Sequence, residues 1–231
     1  MYTGLPKVDI IFTDPPYGIL KDNNKNIRVE DILNSELIKD SVQLFNMCSQ
    51  SNCTLVLAST PRDIYLWEAE LLKSGWKVWN IIYATPNKYC RGAIKKPNLF
   101  EIHTAWIVAY KGTILKNPIK NELESCFRKG LLYTNSIEYE PTTTFIGPKL
   151  PGLGHFRGSQ KSIDLLTKLL KLLVSPTTNT FKKNLYLFDP FMGTSSIGEV
   201  CNSFYIHYIG NDQDPVALEV SQQRLSLFHI E

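Results

Sequence analysis

The chain has 231 residues, 43% hydrophobic and 20% charged, a balance that suits one compact core and excludes a disordered tail or a fibrous repeat. Its net charge is only +3, so a polyanionic partner is permitted but not demanded by the total. The distribution is more pointed: between Pro86 and Gly130 nine Lys and Arg face three Glu, a net +6 against −3 for the rest of the chain.

Taken in chain order, Val8 to Phe12 (VDIIF) predicts a buried strand ended by Asp14-Pro15-Pro16. A polar loop from Gly18 to Arg28 follows. Ile32 to Met47 then carries Leu33, Leu37, Ile38, Val42 and Phe45 at helical spacing. Thr54 to Ala58 (TLVLA) is a second buried strand, and Arg62 to Ser74 a helix stopped by Gly75. Val78 to Tyr83 and Thr104 to Tyr110 predict further strands, separated by a Pro/Lys/Asn-rich loop from Pro86 to Asn98. From Gly112 to His155 the pattern breaks into short polar pieces with Pro118, Pro141, Pro148 and Pro151, and reads as an insertion. Ser162 to Val174 is a Leu-rich helix. Leu185 to Phe188 (strand), Ile197 to Cys201 (helix start), Tyr205 to Gly210 (strand) and Pro215 to Leu227 (helix) complete the chain. Strands alternating with helices predict an α/β fold, a mostly parallel sheet with helices on both faces.

No apolar run reaches the roughly eighteen residues of a membrane span, and Met1 to Phe12 lacks the apolar core of a signal peptide. The expectation is a cytoplasmic chain, or a nuclear one in a eukaryote, with no membrane. Cys48, Cys53, Cys90, Cys126 and Cys201 form no C-x-x-C pair, so a reducing compartment and no metal site are expected. Trp67, Trp76, Trp79 and Trp106 lie in regular elements and read as core.

In open α/β sheets ligands sit beyond the carboxyl ends of the strands, and two such ends stand out. The first is Asp14-Pro15-Pro16-Tyr17: Asp14 offers acceptor oxygens, the prolines stiffen the turn, and Tyr17 presents a flat aromatic face. A bare D-P is a common strand exit; the four-residue string after a buried strand is far more specific. The second runs from Asp189 through Pro190, Phe191, Met192, Gly193, Thr194 and Ser195. A strand turning through small residues into a helix aims backbone N–H groups and a positive helix end at a ligand. With a single glycine it is not the G-x-G-x-x-G fingerprint. About twenty residues on, Asp212 stands where an acidic side chain accepts from ribose hydroxyls, while Asp214 before Pro215 reads as a helix cap.

Together these strings resemble the amino-methyltransferases that modify exocyclic nitrogens of DNA bases with S-adenosylmethionine, a family with a D/N/S-P-P-Y/F/W catalytic motif and a D-P-F-x-G-x-G cofactor loop. The order, catalytic motif first, is similar to the circularly permuted β group. Glu101-Ile102-His103-Thr104 loosely matches that group's acidic strand entry. Its H-P-T-Q-K-P motif is matched at Gln160-Lys161 alone, and Ser195 replaces the loop's second glycine. The group usually carries a Gly-Asp strand about twenty residues before D-P-P-Y. Thirteen residues precede Asp14 here, so the expectation is either a sheet that lacks an edge strand or a shortened chain.

The resemblance implies a Rossmann-like methyltransferase fold, with residues 1–111 the catalytic half, 112–155 a small target-recognition insertion and 156–231 the cofactor half. It implies methylation of N6 of a flipped-out adenine by a modification enzyme of the restriction–modification kind. The alternatives are cytosine N4 or a non-catalytic nucleic-acid-binding subunit. Asp14, Pro15, Pro16 and Tyr17 are the implied catalytic residues. Asp14, Gln160, Lys161, Asp189, Phe191, Gly193, Thr194, Ser195 and Asp212 are the implied S-adenosylmethionine contacts. The partner is double-stranded DNA, gripped along one side by the basic stretch, with Lys88, Arg91, Lys95 and Lys96 on phosphates. So small a recognition lobe suggests a homodimer or a separate specificity partner.

Overall fold

The computed structural model describes residues 7–16, 35–61, 63–87, 104–127, 135–141, 149–150, 154–155, 160–177 and 184–226. Six of its strands and one more, reversed, build a single sheet. Its chain-ordered elements are β1 (Val8–Thr13), α1 (Ser35–Cys48), β2 (Ser49–Ser59), α2 (Ile64–Lys73), β3 (Lys77–Pro86), β4 (Thr104–Lys111), α3 (Lys120–Cys126), β5 (Ser136–Tyr139), β6 (Lys149–Leu150), β7 (Gly154–His155), α4 (Ile163–Lys171), β8 (Tyr186–Asp189), α5 (Ser196–Ser203), β9 (His207–Gly210) and α6 (Pro215–Ser226). The seven-stranded sheet has the order β5-β3-β4-β2-β1-β8-β9, with β6 and β7 forming a separate antiparallel pair. Only β4 runs against its neighbours β2 and β3; the other pairings are parallel.

Period-two alternation distributes the apolar residues between two cores. From the central strands, Ile10, Phe12, Val56, Ala58, Trp106 and Val108 face α4 and α5, while Ile11, Leu55, Leu57, Ala105, Ile107 and Ala109 face α1 and α2. Sequence and structure agree on each of these strands and helices, with ends displaced by a few residues. Helix α2 opens at Ile64 rather than Arg62. It stops at Gly75, whose φ of 83° is left-handed and costs glycine little.

The largest difference lies between Gly112 and His155. Segment 112–141 is not element-free: α3 packs on α4, and β5 pairs in parallel with β3, in register from Tyr83↔Ser136 to Pro86↔Tyr139. Cys126 and Ile137 are part of the core under α4. The period-two signal in Ser136–Tyr139 is only four residues long, too short to stand out among prolines and charges. Trp67, Trp76 and Trp106 are buried as expected, but Trp79 is 38% exposed, with the Lys116 ammonium 4.8 Å from its ring centre.

Because Ile137 is fully buried, Ile137→Ala is expected to destabilise the protein by about 2–5 kcal/mol in urea denaturation. A loss below about 1 kcal/mol would mean that β5 is dispensable to the core.

Candidate functional site

Between β1 and β8 the chain leaves in opposite directions. From β1 it passes to α1 on one face and returns as β2; from β8 it passes to α5 on the other face and returns as β9. Neighbouring parallel strands whose connections diverge leave a crevice at their carboxyl ends, and a cleft lies there. It is lined by Phe12, Thr13 and Asp14 from the end of β1, by Trp106 of β4, by Gln160, Lys161 and Leu166 at and near the start of α4, and by the loop from Asp189 through Phe191, Met192, Gly193 and Thr194 to Ile197.

Asp189 is the buried pivot. Its Oδ1 accepts from the Thr13 hydroxyl at 2.9 Å and from the Phe191 N–H at 3.1 Å. Burial raises its pKa from the ordinary 3.8 to about 7, the nearby Asp14 and Asp212 charges adding to the rise and the two hydrogen bonds opposing it.

The loop after β8 is shaped by its own backbone. Gly193 (φ 50°) and Ser195 (φ 55°) are both left-handed, which explains why a glycine is usual at the position Ser195 fills. A non-glycine residue there costs on the order of 1 kcal/mol. Its buried hydroxyl lies 3.2 Å from Tyr208 Oη and donates to Met192 Sδ. Asp212 stands outside the cleft lining. Its Oδ2 accepts from the Gly193 N–H and its Oδ1 from the Asp214 N–H, both at 2.9 Å. Asp214 accepts from the Val216 N–H and so caps α6, as its sequence context indicates.

Sequence reasoning missed what lies beneath this loop. Arg224 of α6 is 2% exposed. Its Nε and Nη2 both reach Glu199 Oε2 at 2.7 Å, and its Nη1 donates to the Thr194 carbonyl, the Thr194 hydroxyl and Ser196 Oγ. Ser221 of the same helix donates to the Gly193 carbonyl at 2.8 Å. Nothing local marks Arg224 in a helix with mostly exposed polar residues. Thr13 directly precedes the first motif and Met192 lies within the second, whereas Trp106, read as core, carries no sequence signal that places it in the cleft.

Of the expected site residues, Asp14, Gln160, Lys161, Asp189, Phe191, Gly193 and Thr194 line one cleft. Ser195 and Asp212 bond within the same loop region, Asp212 to the Gly193 N–H and Ser195 to Met192; Pro15 is buried and Pro16 exposed beside Asp14. Tyr17, Lys88, Arg91, Lys95 and Lys96 lie outside the described residues, as do the Gly18–Arg28 loop and Glu101 to His103. The basic stretch does not lie wholly on the cleft side. Because β4 is reversed, its start meets the cleft end of β2 (Ala105↔Ser59), whereas Lys111 faces Cys53 at the opposite end. There Lys111 donates to Asn46 and Lys116 covers Trp79.

The lining, in which the Lys161 ammonium lies 2.7 Å from Asp14 Oδ2, suits a ligand with a flat ring and polar groups. Carboxylates of Asp14 and Asp189 stand beside apolar Phe191, Met192 and Ile197, and the buried Gln160 Nε2 has no hydrogen-bond partner among the described residues. Buried amide donors are rarely left unpaired, so this one fits a ligand acceptor. The residues therefore fit S-adenosylmethionine. Among the described residues, no group of three or more His, Cys, Asp or Glu is arranged to hold a metal ion, and no helix is long and apolar enough to cross a membrane.

A family model described as DNA methylase, of the N6/N4 methyltransferases, matches residues 8–223. Solved structures share the fold. The M1.HpyAVI–SAM complex superposes with a TM-score of 0.64 at 22% identity, covering 95% of this chain and 90% of that one. The cytosine-N4-specific PvuII DNA methyltransferase gives 0.68 at 11% identity, over 98% and 82%. A Thermus thermophilus protein described as a putative DNA modification methylase, complexed with S-adenosyl-L-methionine, gives 0.58 at 13%, over 97% and 90%. No curated protein matches the sequence.

Asp189 yields a pH prediction. Between its unfolded value near 3.8 and its folded value of about 7, the folded protein keeps a proton that the unfolded chain has lost. The stability of the unliganded protein therefore falls as pH rises through that window. Urea denaturation across it is expected to show this fall in the wild type and a flatter profile in Asp189→Asn; parallel profiles would contradict it.

Proposed function

Because the chain belongs to the DNA methylase family, whose methyl donor is S-adenosylmethionine, we propose that it methylates the exocyclic N6 of an adenine flipped out of double-stranded DNA. The observation that carries this reading is the convergence in one cleft of Asp14 at the end of β1 and the Asp189–Thr194 loop at the end of β8. Aspartate in the first position of D-P-P-Y favours adenine over cytosine by resemblance to the permuted β group. In that reading, residues 1–111 and 156–231 are the two halves of one core.

The donor, when bound, supplies a methyl group on a positively charged sulfur that is already a good leaving group. The chain's task is alignment. An adenine amino nitrogen is a poor nucleophile because its lone pair is delocalised into the ring. Accepting its two N–H bonds on the Asp14 carboxylate and the Pro15 carbonyl lets the nitrogen become more tetrahedral and aim that pair at the methyl group. Tyr17 stacks on the flipped base. Lys88, Arg91, Lys95 and Lys96 contact phosphates, and segment 112–155 contributes to base recognition. Its small size makes a second copy or a specificity partner a natural supplement.

The purified protein is expected to transfer labelled methyl from S-adenosylmethionine to unmethylated DNA, and nucleoside mass spectrometry should find N6-methyladenine. N4-methylcytosine would instead favour the chemistry of the PvuII enzyme. Transfer to no DNA despite cofactor binding would leave a nucleic-acid-binding subunit as the better reading. Asp14→Ala should lower transfer by at least about a hundredfold while cofactor affinity is largely kept.

A further inference from the structure

Gln160 and Lys161 are neighbours in sequence, and by resemblance both belong to the cofactor. Their surroundings differ. Lys161 Nζ lies 2.7 Å from Asp14 Oδ2, with the two side chains only 19% and 23% exposed. Gln160 Nε2 is buried and has no hydrogen-bond partner among the described residues.

The backbone that carries them is anchored. Ser162 caps α4 by accepting from the Leu165 N–H and donates to the Glu140 carbonyl. Asp164 Oδ2 accepts the Glu140 N–H at 2.8 Å, and Lys168 bridges Asp164 Oδ2 and the Glu138 carbonyl, each at 2.8 Å. Residue 161 is thus fixed between the first turn of α4 and the end of β5. An ammonium delivered from so rigid a base constrains the carboxylate it touches. The rotation of a lone aspartate side chain about its last bond is soft, yet an acceptor must meet an N–H along a lone-pair direction to bind well.

Resting on the methyl-transfer reading, we propose that the pair divides its labour. Lys161 is a positioning residue that holds the plane of the Asp14 carboxylate for the target amino group, and Gln160 is the residue that binds the methyl donor. Segment 135–141 then takes part in catalysis indirectly, because β5 fixes the base from which Lys161 reaches Asp14.

The test separates the two residues without DNA. Titration calorimetry of S-adenosylhomocysteine into the full chain should give Lys161→Met an affinity within about twofold of wild type and Gln160→Leu one about tenfold weaker, the scale of one buried hydrogen bond. In methyl transfer to unmethylated phage DNA, Lys161→Met should lose about tenfold or more in kcat at unchanged donor KM, and Lys161→Arg should recover most of it. Unchanged melting temperatures would exclude a folding defect as the cause. The division is overturned if Lys161→Met weakens S-adenosylhomocysteine as much as Gln160→Leu does, or if it leaves kcat intact. A wild-type protein that binds S-adenosylhomocysteine but methylates no DNA overturns the reaction itself, while the calorimetric contrast is read separately.

Discussion

The hydrogen bond from the Thr13 hydroxyl to Asp189 Oδ1, 2.9 Å long and joining residues 176 apart in sequence, marks the constraint on which the site depends. It closes the carboxyl end of the parallel pair β1–β8, in which Ile10 lies beside Leu187 and Ile11 beside Phe188. Neither strand alone presents more than half of the cleft. Laid side by side, with their connections leaving to opposite faces, they open a crevice that no local segment could form. The buried apolar residues of both strands fix this pairing, since a slip of one residue would send Ile10 and Phe12 to the opposite core.

The crevice is acidic in a way that a purely structural strand junction has no reason to be. Burying the Asp189 carboxylate is unfavourable, as its raised pKa shows, and the hydrogen bonds from Thr13 and Phe191 offset that only in part. The Asp14 and Asp212 charges worsen it. Within the cleft the Lys161 ammonium pairs with the Asp14 carboxylate at 2.7 Å.

Much of this was legible in the sequence because its signals are local. The run VDIIF before Asp14 and the run LYLF before Asp189 have the apolar continuity of strands buried on both faces, and both end in residues that cannot extend a strand. What could not be read has a common physical origin. The place of β5 at the edge beside β3 is decided by pairing across some fifty residues, and four alternating residues carry too little pattern to announce it. The reversal of β4, which moves Lys111 away from the cleft, is likewise invisible to a charge count. The position of Asp212 was legible and its geometry was not: an acidic residue at a strand end says nothing of the two backbone N–H groups it holds.

Arg224 shows why such a loop needs more than its own sequence. The turn from Gly193 to Ser196 contains two left-handed residues, one of them a serine, and would gain entropy by unwinding. It is held from below. The guanidinium is desolvated at 2% exposure, so its charge must be met, and Glu199 does so with two contacts at 2.7 Å. The remaining donor, Nη1, is then directed at Thr194 and Ser196. Ser221 takes the Gly193 carbonyl, which leaves the Gly193 N–H to Asp212 on the other side. Both polar groups of one peptide-flanking glycine are thus committed before any ligand arrives. The ordering cost of the loop is met during folding rather than at binding, where it would weaken affinity. A helix that lies at the surface, with half of its residues exposed, is in this way as much a part of the site as the strand ends that line it.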